Sequence, residues 1–188
     1  MTTIPAPPKT VSQVGRAAQD LGLAGLLGGS LFGRMALHPA VAAISDPRER
    51  GEVVNAAWRR YGTVNSLALG AVVVGWAGAR AADRNLIPAE RRLARVKDGL
   101  VGALVLSGVA SAVEGVRFGR SAPHGAVPLE DGSHAAPDAS DSATRLKARL
   151  NVLGAVTMAA EVGLVAVNAA LAQENFRRPA VRRRVRLF

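Results

Sequence analysis

At 188 residues the chain is long enough for one domain and too short for two sizeable ones. Hydrophobic residues make up 49% of it but aromatics only 4%. Its apolar mass is therefore Ala, Val, Leu and Gly, which let helices approach closely in lipid, rather than the large rings that fill a soluble core. The absence of cysteine excludes disulfides, thiolate catalysis and Cys-based zinc or iron–sulfur sites. A net charge of +10 suits either nucleic acid or lipid headgroups, and the positions of the charges decide between them.

Residues 1–20 read as a short N-terminal segment carrying Lys9 and Arg16. The run LGLAGLLGGSLFG follows Asp20 and meets Arg34, which predicts a first helix over 21–37 with Pro39 at its outer end. Cations ahead of an apolar run resemble a secretory signal, but Arg34 interrupts the apolar region and Pro39 precedes the small residues Ala40 and Ala42. An uncleaved first helix is expected. In DPRERGEVVNAAWRRYG, the residues Val53, Val54, Ala57, Trp58 and Tyr61 share one stripe of a 3.6-residue period. That stripe predicts an amphipathic helix lying in the headgroup region, where Trp and Tyr are favoured.

The second span, Tyr61 to Ala79, has nineteen residues and no charge. At about 1.5 Å per residue it covers about 28 Å, close to the thickness of the hydrocarbon core. A third span covers 99–116, with Glu114 near its end, and a fourth covers 150–172, with Glu161 at its centre. Between them, 117–145 is rich in Pro, Ser and Gly and has no periodicity, so a mobile outer loop is expected. The expected fold class is all-α: an integral membrane four-helix bundle over 21–172, with an interfacial amphipathic helix between helices 1 and 2. The competing reading is a soluble Ala-rich bundle.

The N-terminal segment, the 80–98 connection and the 173–188 tail together hold 14 Lys and Arg, against 9 on the other side. The positive-inside rule then predicts a multi-pass protein of the cell (plasma) membrane with both termini in the cytoplasm. The polybasic tail places Arg177, Arg178, Arg182, Arg183, Arg184 and Arg186 beside the membrane. Each contributes about 1 kcal/mol against anionic lipid. The tail is short and juxtamembrane, so lipid rather than nucleic acid is its expected partner.

Small residues recur at four-residue spacing. Gly25, Gly29 and Gly33 do so in the first helix, Ala103, Ser107, Ser111 and Gly115 in the third, and Ala155, Ala159 and Gly163 in the fourth. They predict close helix packing within the bundle or with other membrane subunits. Four polar candidates lie in or beside the spans: Arg34, His38, Glu114 and Glu161. Charges in lipid face a partner or water. Arg34 and Glu114 fall at similar depth and are expected to pair, with His38 just above. Glu161 is read either as structural polar glue or as a proton-carrying or ligand-binding carboxyl. His124, His134, Glu130, Asp131 and Asp138 fit no metal-ligand spacing, no haem pair of histidines is available, and no cofactor is expected.

The stretch GGSLFGRMALHPAV, followed by WRRYG opening a second apolar helix, resembles the anthrone-oxygenase-like group of small four-helix membrane proteins. The resemblance covers about the first 80 residues. It implies a four-helix membrane architecture and, as one functional alternative, a membrane oxidoreductase acting on a lipophilic quinone-like substrate. The residues themselves hold no recognisable catalytic set. They favour a non-enzymatic accessory or scaffold subunit of a larger membrane complex, partnered by other subunits or by itself. The remaining alternative is a small-molecule or proton-coupled transporter using Glu161 and the Arg34–Glu114 region.

Overall fold

The structure, a computed structural model, describes residues 9–82 and 88–176. Four long helices run through them: α1 (Lys9–Phe32), α2 (Pro47–Ala82), α3 (Pro88–Arg120) and α4 (Asp141–Phe176). No strand occurs among the described residues, only an isolated antiparallel bridge between Leu129 and Ala135. The six tail arginines lie outside the described residues.

Three of the four helices are long and apolar enough to cross a membrane: Pro47–Ala81, Glu90–Arg120 and Asp141–Gln173. The first, expected as a fourth span, falls short by composition. Only thirteen residues separate Asp20 from Arg34, about 20 Å of helix, and six of those are glycine or serine. All four helices outrun the predicted spans. Their ends carry Arg, Lys and Glu, which are good helix formers. α1 thus already includes 9–20, read from sequence as a separate segment.

The helices form two antiparallel hairpins. In the first, α1 and α2 interlock through glycine: a Cβ on Gly22 would lie 2.6 Å from the Ala68 carbonyl oxygen, and one on Gly33 would lie 2.6 Å from the Trp58 ring. Gly29 makes room for the Tyr61 ring, whose hydroxyl donates to the Gly25 carbonyl at 2.5 Å. The Gly25/Gly29/Gly33 stripe therefore packs as expected. One expectation is corrected: the stretch that carries Trp58 and Tyr61 is not a separate helix. Pro47–Ala82 is one unbroken helix, in which Trp58 and Tyr61 turn towards Gly33 and Gly29 while Val54 packs with Val41, Phe118 and Val127. Nothing between Trp58 and Tyr61 breaks a helix, so no separate interfacial helix forms.

In the second hairpin, Thr157 of α4 donates to the Ser107 hydroxyl of α3 at 2.8 Å, and Gly163 packs on Leu100. The expected Ala155/Ala159/Gly163 stripe is only partly an internal face. Ala155 and Ala159 are exposed, and the inward residues are Ala160, Glu161 and Leu164. Gly115, at the end of the α3 stripe, meets nothing within 4 Å.

Two apolar cores result. The central one gathers Leu23, Leu26, Ala68, Val72, Val101, Leu104, Ala160 and Leu164 from all four helices. The second sits at one end, under the connections 38–46 and 121–140, and contains Val41, Val54, Phe118, Val127, Leu129 and Ala143. This capped end corrects the mobile-loop expectation. Val127 and Leu129 are fully buried, so the 121–140 segment has an apolar anchor despite its Pro, Ser and Gly content.

Candidate functional site

Two levels of polar side chains hold the residues singled out from sequence. The first is a mid-bundle layer to which every helix contributes: Ser30 from α1, Tyr61 from α2, Ser107 from α3, and Thr157 and Glu161 from α4. Glu161 is 1% exposed. One carboxyl oxygen accepts from the Ser30 hydroxyl at 3.2 Å, and the other is buried without a hydrogen-bond partner. Tyr61 is near enough to interact with it electrostatically. Glu161 makes no ion pair among the described residues. One turn from Glu161 towards the opposite end the core is apolar, with Leu26 and Leu164.

The second level is the capped end. Arg50 is its main clasp, with Nε donating to the Ile44 carbonyl at 2.6 Å and one terminal nitrogen donating to the Glu130 carbonyl at 2.7 Å and the Leu129 carbonyl at 3.3 Å. A single planar guanidinium thereby ties both connections to α2. Asn55, buried in α2, donates to the Gly125 carbonyl at 2.6 Å. Gly125 has φ +76, which an L side chain rarely adopts, so the turn that presents this carbonyl needs glycine. Lys147, 6% exposed, donates to the Gly132 carbonyl and holds its ammonium 5.7 Å from the Phe118 ring centroid. Asn151 donates to the Ser133 carbonyl at 2.8 Å. Arg50, Asn55 and Lys147 were not singled out from sequence. Each is a long or polar side chain satisfying loop carbonyls, and a Pro-, Ser- and Gly-rich stretch without periodicity gives no reason to seek such partners.

The four polar candidates come to the same half of the bundle, but the expected Arg34–Glu114 pair does not form. Arg34 donates to the Asn151 carbonyl at 3.2 Å, beside Gly154. Glu114 instead pairs with Arg117 at 3.2 Å and Arg149 at 3.7 Å, on its own hairpin. Similar depth along two helices does not make their side chains face each other. Arg34 lies in a stretch of π-helix, Gly33–Leu37, in which the His38 amide donates to the Gly33 carbonyl. The wider turn precedes Pro39, which has no amide to donate.

His38 sits just past the first helix under the cap, its Nδ1 3.1 Å from the Ser133 hydroxyl and its ring edge-on to Trp58 at 6.0 Å between centroids. Burial, with Lys147 and Arg34 nearby, pushes its pKa down to about 4. His134 is exposed, and its Nδ1 lies 2.9 Å from an Asp131 oxygen, whose carboxylate raises its pKa. The two histidines should titrate on opposite sides of the ordinary value of about 6.5 when followed by proton NMR. Asp131→Asn should bring His134 back towards that value and leave His38 low. The signs differ for stability. The His38 contribution is complete at neutral pH and is lost as pH falls from the unfolded value towards about 4. The Asp131–His134 contact holds at low pH and is lost as pH rises through the raised His134 value.

Among the described residues, no group of three or more His, Asp or Glu side chains is placed to hold a metal ion. Comparison with family models, with curated proteins and with solved structures finds no match to this chain. The fold and the polar layer define an all-α protein with four long helices, three of them able to span a membrane by length and composition.

Proposed function

We propose that the chain is a multi-pass protein of the plasma membrane with both termini cytoplasmic, acting as a non-enzymatic accessory or scaffold subunit of a larger membrane assembly. One observation carries the membrane reading. Many large apolar side chains point away from the bundle, with Leu21 75%, Leu67 72% and Leu106 74% exposed. A water-soluble bundle would bury such residues, whereas lipid or a partner helix covers them at no cost.

The pairing of α1 with α2 supports a four-span reading although α1 is the least apolar helix. Gly15 faces Gly75 near one end and Gly33 faces Trp58 near the other, so α1 shares the depth of its partner. Its polar residues are matched: Gln19 accepts from Lys97 at 2.8 Å, and Asp20 accepts from Asn168 at 2.9 Å. The subunit reading rests on unpartnered small residues. Gly62 and Gly70 of α2 meet nothing within 4 Å, and Ala155 and Ala159 of α4 are exposed, leaving two faces suited to close helix approach. Outside-facing connections pinned by Arg50 suit a rigid spacer better than a moving gate. Glu161 favours a second reading, a proton-coupled transporter.

The test is the native mass of the chromosomally tagged protein in mild detergent, with mass spectrometry of whatever accompanies it. A complex with stoichiometric partners is the expected result. A chain that runs alone overturns the subunit reading and leaves the transporter.

A further inference from the structure

Among the described residues, six buried polar side-chain atoms lack a hydrogen-bond partner, and four of them lie in the half of the bundle between Glu161 and the cap. They are Glu161 Oε2, Ser111 Oγ, Glu114 Oε2 and His38 Nε2. The cross-helix contacts order them by depth. Ser107 is level with Thr157, one turn from Glu161; Ser111 is one turn nearer the cap; Glu114 is level with Arg149; and His38 lies under residues 132 and 133. Buried polar atoms left without protein partners are satisfied by internal water in most proteins. Beyond Glu161 in the other direction the next turn of the core is apolar, with Leu26 and Leu164.

We propose that the capped half of the bundle encloses a hydrated polar seam that opens at the cap and ends on the Glu161 carboxyl, making Glu161 a site for water and an exchangeable proton reached from one side only. The groups facing Glu161 fit this role. Ser30 of α1 supplies one hydroxyl to Oε1, Tyr61 of α2 lies nearby, Thr157 below it is occupied with Ser107 of α3, and Arg34 is turned away onto the Asn151 carbonyl. No fixed cation neutralises the carboxyl, and Oε2 remains for water. The opening lies near Glu114 and His38, where Arg117 and Arg149 flank the rim. This inference rests on the membrane reading above only for which side the seam faces.

The chain contains no cysteine, so single cysteines report on one position at a time. A thiol reacts as its thiolate, which forms where water reaches it. Ser111→Cys, Leu164→Cys and Leu106→Cys would be made in the full chain, reconstituted in phosphatidylcholine vesicles, and treated from each side with a charged, membrane-impermeant methanethiosulfonate. Labelling after denaturation gives the full extent for each.

The expected result is labelling of Ser111→Cys from the side of the cap alone, with Leu164→Cys and Leu106→Cys unlabelled. Ser111→Cys unreactive from both sides, or no more reactive than Leu164→Cys, overturns the seam. Reaction of the lipid-facing Leu106→Cys overturns the membrane reading instead. Reaction of Ser111→Cys from the opposite face overturns the orientation and leaves the seam standing.

The proton is tested separately by infrared spectroscopy. A carboxylic-acid carbonyl band present in the wild type and missing from Glu161→Gln should shift on transfer to D2O. No such difference, or a band insensitive to D2O, overturns proton exchange at Glu161. The D2O shift is read on the wild type alone and does not depend on how the variant folds.

Discussion

Arg50→Ala should destabilise the protein by about 3 kcal/mol, the sum expected when two good charge-assisted bonds to backbone carbonyls are lost. The two are those to the Ile44 carbonyl at 2.6 Å and the Glu130 carbonyl at 2.7 Å. The loss is larger than for a surface arginine because both acceptors belong to connections that fold over an apolar core, and neither regains a protein donor when the guanidinium goes. Arg50→Lys should recover little of it, since a single ammonium cannot reach both connections with the spread of a planar fork. Thermal unfolding in detergent measures the cost, and limited proteolysis of the 121–140 connection shows where it falls. An Arg50→Ala protein within about 0.5 kcal/mol of wild type, the ordinary range for surface changes, would mean that Val127, Leu129 and Phe118 hold the cap by packing alone.

The second large effect is a contrast within one helix. Gly22→Leu should cost about 3 kcal/mol, the upper range for overpacking a filled interface. Its Cβ alone would lie 2.6 Å from the Ala68 carbonyl oxygen, 3.0 Å from a Val72 methyl and 3.2 Å from the Ala71 Cβ. A backbone oxygen cannot swing aside as a flexible side chain can, so α1 must lift away from α2. Gly28→Leu, less than two turns further on, meets nothing within 4 Å. It should be neutral or gain about 0.8 kcal/mol from helix propensity. Equal destabilisation by both changes would show that α1 does not pack on α2 through the Gly22 face.

How much was legible follows from what each residue reports. Helix existence was legible because uncharged runs of spanning length have few other uses, and Tyr61 to Ala79 is the plainest case. The role of the first glycine stripe was legible too, because Gly29 and Gly33 have no side chain to offer except room, and Tyr61 and Trp58 take it. The inward face of α4 was not. A helix apolar on all sides carries no moment to say which stripe turns inward, so Ala155 and Ala159 looked as suitable as Ala160 and Leu164. The cap was hidden for a related reason. Val127 and Leu129 are single apolar residues in a Pro- and Gly-rich stretch, and without periodicity nothing in the order of residues marks them as an anchor.

Composition and the spacing of charges by themselves determined the helical class: apolar segments of spanning length, with polar residues scarce enough within them for each to matter. Which polar residues meet was decided only by the tertiary structure. Depth along a helix can be counted from sequence, but the direction in which a side chain leaves it depends on how each helix is rotated against its neighbours. That rotation sends Arg34 to the Asn151 carbonyl, gives Glu114 to Arg117 and Arg149, and leaves Glu161 inside with only Ser30 to answer one of its two oxygens.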